Sequence, residues 1–129
     1  MEVTVTFESG ERLDCRVGKH VMAVEPPESR GGSGNVPTPS DYLLVSLAGC
    51  GAYFVRAFCE QRDISLDGVA FSLDAHLNEQ TKLYDRIEYK VRVTDDFPKK
   101  YHSALARSVE QCFVKKHFET PPAFSVSVE

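Results

Sequence analysis

The chain contains four cysteines, Cys15, Cys50, Cys59 and Cys112, and their thiols are its most reactive side chains. A cysteine thiolate is both a nucleophile and a metal ligand. A metal site is not favoured, because no two of the four cysteines have a short paired spacing and none has a histidine three or four residues away. We therefore expect no metal ion and no cofactor, and the cysteines indicate either thiol chemistry or simple packing.

Cys50 has the most unusual surroundings of the four. It lies between Gly49 and Gly51 in the middle of a segment, residues 42–55, that contains no charged side chain. Two glycines inside a helix each cost about 1 kcal/mol relative to alanine. We therefore expect another helix, or a substrate, to approach the backbone closely at Cys50.

The other three cysteines differ in what their positions predict. Cys15 lies on the apolar face of a predicted strand, where a cysteine packs as a small hydrophobe. Cys59 follows Cys50 by nine residues, a rotation of about 900° and a rise of roughly 13 Å along a helix, so these two thiols cannot bond. Cys112 belongs, like Cys50, to an apolar helical stripe, and the two helices can pack on each other. From spacing alone, Cys50 and Cys112 are either inert buried thiols or reactive ones.

Reactivity at Cys50 requires a positive neighbour that lowers the thiol pKa. Arg30 is the best candidate, because its loop, residues 26–37, leads directly into the start of the long helix. None of the four histidines pairs with a cysteine at local spacing, so a Cys-His hydrolase is not favoured. The glycine-rich segment 30–34 lacks the lysine and the preceding apolar strand of a phosphate-binding loop.

Length and composition are those of one soluble globular domain of 129 residues. The net charge of −4 argues against a nucleic-acid surface. Residues 1–7 alternate as a strand does and do not resemble a signal peptide. We therefore expect a cytoplasmic protein, in a compartment where thiols are kept reduced.

The apolar segment around Cys50 is predicted to be a long helix. Thr38 as the N-cap, Pro39 at the first helical position and Asp41 three residues after the cap mark its start, and it runs to about Arg62. It is too short to span a bilayer comfortably and ends in charged residues, which favours a core helix. Because it is apolar on every face, we expect it to be buried all round.

The remaining elements follow in a simple order. Strands are predicted at residues 3–7, 13–17, 20–25, 69–77, 87–93 and 124–128, and a second helix from about residue 98 to residue 116. This order is that of an α+β domain with antiparallel sheet, and it occupies residues 1–129 as a single domain. A helix that is apolar all round is covered most simply in a homodimer, in which each subunit helps to cover the other's helix.

A family resemblance is carried by residues 31–50, Gly-Gly-Ser-Gly-Asn-Val-Pro-Thr-Pro-Ser-Asp-Tyr-Leu-Leu-Val-Ser-Leu-Ala-Gly-Cys. This segment resembles that of the OsmC/Ohr family, the osmotically inducible and organic-hydroperoxide-resistance proteins. The family's segment runs roughly Gly-Gly, a short spacer, then Gly-Pro-Thr-Pro-x-Glu-Leu-Leu-Leu-Ala-Ala-Leu-Ala-Gly-Cys. Its second landmark, Cys-Pro-Val, is similar to Cys112-Phe113-Val114. The order of strands and helices also agrees over nearly the whole chain.

The resemblance implies an OsmC-like fold and an intertwined homodimer with two active sites at the interface. It implies that Cys50 is the peroxidatic thiol and Cys112 the resolving thiol. Arg30 stands twenty residues before Cys50, the offset of the arginine in the family's OsmC branch. Ser40 occupies the position of that branch's carboxylate, and Asp41, next to it, is where a less characterised OsmC-like branch carries its acidic residue.

The activity implied by the resemblance is that of a cysteine-based, thiol-dependent peroxidase that reduces organic hydroperoxides in oxidative stress defence. Its partners are expected to be a small-molecule hydroperoxide and an external dithiol reductant, with no nucleic acid and no membrane. Two alternatives stay open. One is a non-catalytic dimer of the same fold that binds a small apolar ligand in the interface cleft, and the other is a thiol redox sensor.

Overall fold

A computed structural model describes all 129 residues, which form five β-strands and three α-helices. The chain divides into two compact units, residues 1–45 and 46–129, and each is described by itself. The fold combines helices with two antiparallel sheets, which confirms the predicted α+β class. The assignment of the whole chain to a single domain stays a prediction.

The first unit begins with a three-stranded antiparallel sheet. Its strands are β1 (Val3–Phe7), β2 (Leu13–Val17) and β3 (His20–Val24), in the order β1-β2-β3. Gly10 and Gly18 lie in the two connecting turns at φ values of 66° and 56°, where a left-handed backbone favours glycine. The sequence prediction of these three strands is confirmed.

The loop of residues 26–37 follows the sheet, and the carboxylate of Glu25 accepts hydrogen bonds from within it. The amide and the hydroxyl of Ser33 donate hydrogen bonds to the Glu25 carboxylate, at 2.8 and 2.5 Å. A 3-10 turn, Glu28–Arg30, lies within the loop. The loop leads into helix α1 (Pro39–Glu60), which ends two residues before the predicted boundary.

One face of α1 is buried and another is exposed. The buried residues are Leu47, Gly51, Val55, Phe58 and Cys59. On the exposed face, Val45 is 66% exposed and Tyr53 is 62% exposed. By length and composition alone α1 is able to cross a membrane, but the core helix of a soluble protein meets the same criteria. The single chain supplies packing partners to one face of α1 only, and burial of the other face, which we expect a second subunit to provide, stays a prediction.

The second unit contains the hydrophobic core. Strands β4 (Ala70–Leu77) and β5 (Tyr84–Arg92) form an antiparallel hairpin, followed by helices α2 (His102–Val109) and α3 (Phe113–Glu119). The core cluster consists of Val55, Phe58, Cys59, Phe97, Leu105 and Val109. Cys59 is fully buried in this cluster, in agreement with the packing role that its position predicts.

The prediction of one continuous second helix is wrong. Cys112 separates α2 from α3 with a non-helical backbone, at φ −48° and ψ 116°. No glycine or proline marks the break. Cys112 is instead the N-cap of α3, since its Sγ accepts a hydrogen bond from the Lys115 amide at 3.4 Å. Cys112 therefore lies between two helices and not in a helical stripe.

The predicted last strand, residues 124–128, is not formed. Residues 121–129 have no regular secondary structure, and the alternating side chains Phe124, Val126 and Val128 are 90, 95 and 97% exposed. A strand is stable only where a second strand pairs with its amides and carbonyls. Neither sheet of the single chain includes this segment, so its apolar alternation is left without a partner.

Candidate active site

Cys50 and Cys112 lie together in the second unit, close enough for each thiol to shift the pKa of the other. Cys50 is in the middle of α1 and is partly exposed, whereas Cys112 caps α3 and is fully buried. Both thiols are free. Helix α1 and the break between α2 and α3 thus place two thiols where they can react with each other.

The surroundings of Cys50 favour its thiolate. Burial raises the pKa of the Cys50 thiol, but hydrogen bonds from the Val114 amide, the Cys112 thiol and the Phe113 amide outweigh that effect, and the net pKa is lowered. The two amides belong to the start of α3, where the first N–H groups of a helix have no partner inside the helix. They are free to donate to Cys50 because the backbone breaks at Cys112.

The pKa of the Cys112 thiol is shifted in the opposite direction. Burial raises the pKa of the Cys112 thiol, and negative charge on Cys50 raises it further. Hydrogen bonds from the Lys115 amide and the Tyr89 hydroxyl lower it, without cancelling the rise. In this neighbouring pair of thiols the pKa values are shifted in opposite directions, so Cys50 is the thiol that loses its proton more readily.

Tyr89, on β5, is a third side chain of the site that sequence reasoning did not identify. Burial and the neighbouring sulfurs raise the pKa of Tyr89 to about 12. Its residue type was the available signal: in the inward-facing series Ile87, Tyr89, Val91 and Val93, it alone carries a hydroxyl. Tyr89 is half-buried, and it lies close enough to Cys112 for each group to shift the pKa of the other.

Gly51 shows why a small residue follows Cys50. A Cβ at Gly51 would lie 2.7 Å from Cζ of Phe71 on β4, closer than real Cβ contacts allow. The close approach expected at Cys50 is therefore observed, but the approaching group is a strand side chain and not a helix or a substrate. At Gly49 a Cβ would meet nothing within 4 Å.

A partly open cavity of about 660 Å³ lies beside β5 in the second unit, and the charged residues Asp85, Arg86, Glu110 and Lys115 line it together with apolar ones. Tyr89 and Val91 of β5, Leu47 of α1 and Leu105 and Val109 of α2 contribute to its lining, with Phe118 of α3. Cavities of this size and character hold small apolar molecules or side chains of another protein.

Arg30 and Asp41, the other two predicted site residues, belong to the first unit. Arg30 ends the 3-10 turn and is exposed. The Asp41 carboxylate accepts hydrogen bonds from the Thr38 amide and hydroxyl at 2.8 and 2.9 Å, which lowers the Asp41 pKa, and the Asp41 amide donates back to the Thr38 hydroxyl at 3.2 Å. Asp41 therefore closes a capping box at the start of α1. A role for either residue in thiol chemistry stays a prediction.

The site contains thiols, a phenol and backbone amides as its polar groups. No group of three or more His, Cys, Asp or Glu side chains lies close enough together to hold a metal ion. Two neighbouring thiols can pass reversibly between the dithiol and the disulfide. The arrangement is therefore suited to two-electron thiol redox chemistry.

Comparison with known proteins gives the family. A family model described as OsmC-like protein matches residues 32–127, so the chain belongs to the OsmC-like family. No curated protein matches the chain. The predicted family is thereby confirmed.

Solved structures of other proteins share the fold at low sequence identity. A putative osmotic stress induced and detoxification response protein from Psychrobacter arcticus has a TM-score of 0.73 at 16% identity, over 88% of this chain and 85% of that chain. An organic hydroperoxide resistance protein OsmC from Legionella pneumophila gives 0.56 at 16% identity, over 92% and 89%. The organic hydroperoxide resistance protein OhrB of Bacillus subtilis gives 0.51 at 16% identity, over 91% and 90%. At this identity the similarity establishes the fold only. The activity has to be argued from the residues of the site.

Proposed function

We propose that the protein is a thiol-dependent peroxidase that reduces organic hydroperoxides, with Cys50 as the peroxidatic thiol and Cys112 as the resolving thiol. The observation that carries this proposal is the Cys50 thiol, whose pKa is lowered by the amides at the start of α3 and by the neighbouring Cys112 thiol. The names of two structural neighbours, both organic hydroperoxide resistance proteins, support the substrate class.

The first step of the proposed reaction is attack of the Cys50 thiolate on the peroxide oxygen. The O–O bond breaks, the leaving alkoxide takes up a proton and departs as an alcohol, and Cys50 becomes a sulfenic acid. Partial exposure of Cys50 gives the peroxide access to the sulfur. The lowered pKa increases the fraction of Cys50 that is present as the thiolate.

The second step is condensation of Cys112 with the sulfenic acid, which forms a disulfide and releases water. An external dithiol then reduces the disulfide by thiol–disulfide exchange and restores both thiols. Turnover therefore requires a reducing compartment, and the proposal places the protein in the cytoplasm.

Two features carried over from the family complete the proposal. Arg30 and Asp41 are proposed to assist Cys50, on the ground of their sequence offsets from it. A homodimer is proposed because Val45 and Tyr53 of α1 and the apolar alternation of residues 124–128 are exposed in the single chain. A second copy of the chain is suited to cover these surfaces, because it carries the same apolar groups.

The test of the peroxidase is hydroperoxide consumption with a dithiol as the only reductant. Wild-type protein should consume an alkyl hydroperoxide catalytically, and Cys50→Ser should lose the activity. Arg30→Lys, which keeps the charge but loses the planar fork, should be slower than wild type. Absence of consumption by the wild-type protein would refute the peroxidase, and a single turnover that stops at the disulfide would identify a redox sensor.

A second candidate function is favoured by one observation, the cavity of about 660 Å³ beside β5, whose lining is partly apolar. In this alternative the protein binds a small apolar ligand and carries out no thiol turnover. An apolar fluorescent probe that binds equally well to wild-type protein and to Cys50→Ser, in a protein without peroxidase activity, would favour it.

A further inference from the structure

A second cavity, of about 360 Å³, lies between α1 and α2 in the second unit. Ala57 of α1 and Ala104 of α2 are part of its lining, and their small side chains leave space between the two helices. The Ser108 hydroxyl of α2 donates a hydrogen bond to the Phe54 carbonyl of α1 at 3.3 Å, which joins the two helices beside the cavity. Its volume is within the range of small-molecule sites, roughly 300–1,000 Å³.

The charged residues that line this cavity are both arginines: Arg62, which lies just after the end of α1, and Arg107 of α2. No aspartate or glutamate lines it, and neither guanidinium forms an ion pair with a carboxylate of the chain. The chain as a whole carries a net charge of −4, so the two positive charges at this cavity are opposite in sign to its overall charge. Guanidinium groups bind carboxylate and phosphate oxygens through paired hydrogen bonds, which indicates an anionic ligand.

Arg62 is held in place by contacts within the chain. Its guanidinium carbon lies 3.7 Å from the centroid of the Phe58 ring, and its Nη1 donates a hydrogen bond to the Phe58 carbonyl at 3.2 Å. The centroid of the Tyr101 ring is 5.5 Å from the same carbon. A guanidinium that is stacked in this way loses little conformational freedom when it binds an anion, and its remaining N–H groups stay available as donors.

Aromatic side chains of α1 also line the cavity, namely Tyr53, Phe54 and Phe58. The rings of Tyr53 and Phe54 contact each other edge to face, with centroids 5.3 Å apart. Planar apolar groups pack favourably against such rings. We propose that this cavity binds a small anion in which a carboxylate or phosphate is joined to a planar apolar group, and that Arg62 and Arg107 hold the anionic end.

This site goes beyond the proposed thiol chemistry and does not depend on it, because neither Cys50 nor Cys112 lines the cavity. Tyr53 also belongs to the outer face of α1, which the proposed dimer covers. Binding is therefore measured on the protein in its own oligomeric state, in which a cavity filled by the second copy would take up no ligand.

The experiment is a titration of isotope-labelled protein, followed by the resonances of its backbone amides. Phenyl phosphate and benzoate are the probes with both features of the proposed ligand, phenol lacks the anion, and inorganic phosphate lacks the ring. Arg107→Gln removes one guanidinium, and Ala57→Leu fills the cavity without a change of charge. Arg56→Gln is the matched control, because it removes the same charge from an exposed arginine of α1 that does not line the cavity.

Phenyl phosphate and benzoate should shift the amides of residues 53–62 and 104–108 in a saturable way, and the tighter of the two identifies the anionic group. Phenol and inorganic phosphate should bind more weakly than either. Arg107→Gln should raise the dissociation constant about tenfold, the effect of losing one hydrogen-bonded contact to a charged group. Ala57→Leu should also weaken binding, and Arg56→Gln should bind as wild type.

Absence of saturable shifts at these residues with both phenyl phosphate and benzoate would overturn the proposal. Equal weakening by Arg107→Gln and Arg56→Gln would also overturn it, because a general loss of positive charge predicts that result. Binding of phenol as tight as that of the two anions would show an apolar surface and no anion site. Arg107 is exposed, so its replacement leaves the core unchanged, and thermal unfolding of each variant checks the fold. The titration involves no peroxide and no thiol reaction, so its outcome is independent of the proposed peroxidase.

Discussion

At Cys50 the groups that stabilise a negative sulfur are backbone amides, those of Val114 and Phe113, together with the Cys112 thiol. Backbone donors do not titrate, and side-chain substitutions leave them in place, with proline as the exception. The break between α2 and α3 therefore provides the amides that stabilise a Cys50 thiolate. This source acts in addition to any contribution that Arg30 makes.

Phe113→Pro tests the amide contribution directly. Proline is tolerated at the first position of a helix, so α3 should form, but the amide donor at residue 113 is lost. We expect the pKa of Cys50 to rise by about one unit, the size of one hydrogen bond to a charged group. The measurement is the pH dependence of Cys50 alkylation, followed by mass spectrometry of the peptide that contains Cys50.

Phe113→Ala is the control for this experiment, since it removes the same side chain and keeps the amide. Its alkylation profile should coincide with that of the wild-type protein. The side chain of Phe113 is 70% exposed, so neither substitution opens a core cavity. A wild-type profile in the proline variant would show that the amide of residue 113 does not hold the Cys50 sulfur.

On the scale of elements, replacing the two glycines of α1 by alanine should have opposite effects on the free energy of unfolding. Gly51→Ala places a Cβ against the Phe71 ring, which also packs against the Tyr89 ring, so the ring cannot yield freely. Overpacking of this kind costs about 1–3 kcal/mol, against a gain of about 1 kcal/mol in helix propensity. We expect Gly51→Ala to lower the free energy of unfolding by about 1 kcal/mol in denaturant titrations.

Gly49→Ala is its matched partner on the same helix, where a Cβ meets open space. The propensity gain then has no opposing clash within the chain, so its free energy of unfolding should not fall. If both variants are destabilised to the same extent, the helix backbone and not the Phe71 contact accounts for the glycines. A loss confined to Gly51→Ala supports the packing argument.

Local sequence patterns predicted the five strands and the long helix: mainly apolar alternation for the strands, and the capping residues with an uncharged apolar run for the helix. The break at Cys112 was missed, because no glycine or proline marks it in the sequence. The pairing of Cys50 with Cys112 came from the family resemblance, and Tyr89 from neither source. Local patterns indicate which face of a strand is apolar. They do not indicate which side chain from another element lies next to a hydroxyl on that face.

On the scale of the whole molecule, the single chain exposes apolar groups in two places that the sequence predicted to be covered. One is the outer face of α1, with Val45 and Tyr53, and the other is the alternating segment of residues 124–128. Exposed apolar groups of this kind favour association. A second copy of the chain is the partner we propose, so dimer formation and coverage of α1 should be lost together.

Val45→Arg should convert the proposed dimer to a monomer. Val45 is already 66% exposed in the single chain, so the substitution should cost the monomer little. Burying a valine contributes about 1.5–3 kcal/mol, and a two-fold axis applies the loss twice. The dissociation constant should therefore rise at least about a hundredfold, before the cost of burying the arginine charge. Light scattering at micromolar concentration should give a dimer for wild-type protein and a monomer for Val45→Arg.

Lys82→Ala, in the exposed turn between β4 and β5, is the control and should remain dimeric. Unfolding of Val45→Arg should still be cooperative, because the core cluster around Val55 and Leu105 lies within the second unit. A monomeric wild-type protein would remove the proposed dimer outright. A dimer that tolerates Val45→Arg would move the interface away from the outer face of α1 and leave residues 124–128 as the segment to test by truncation.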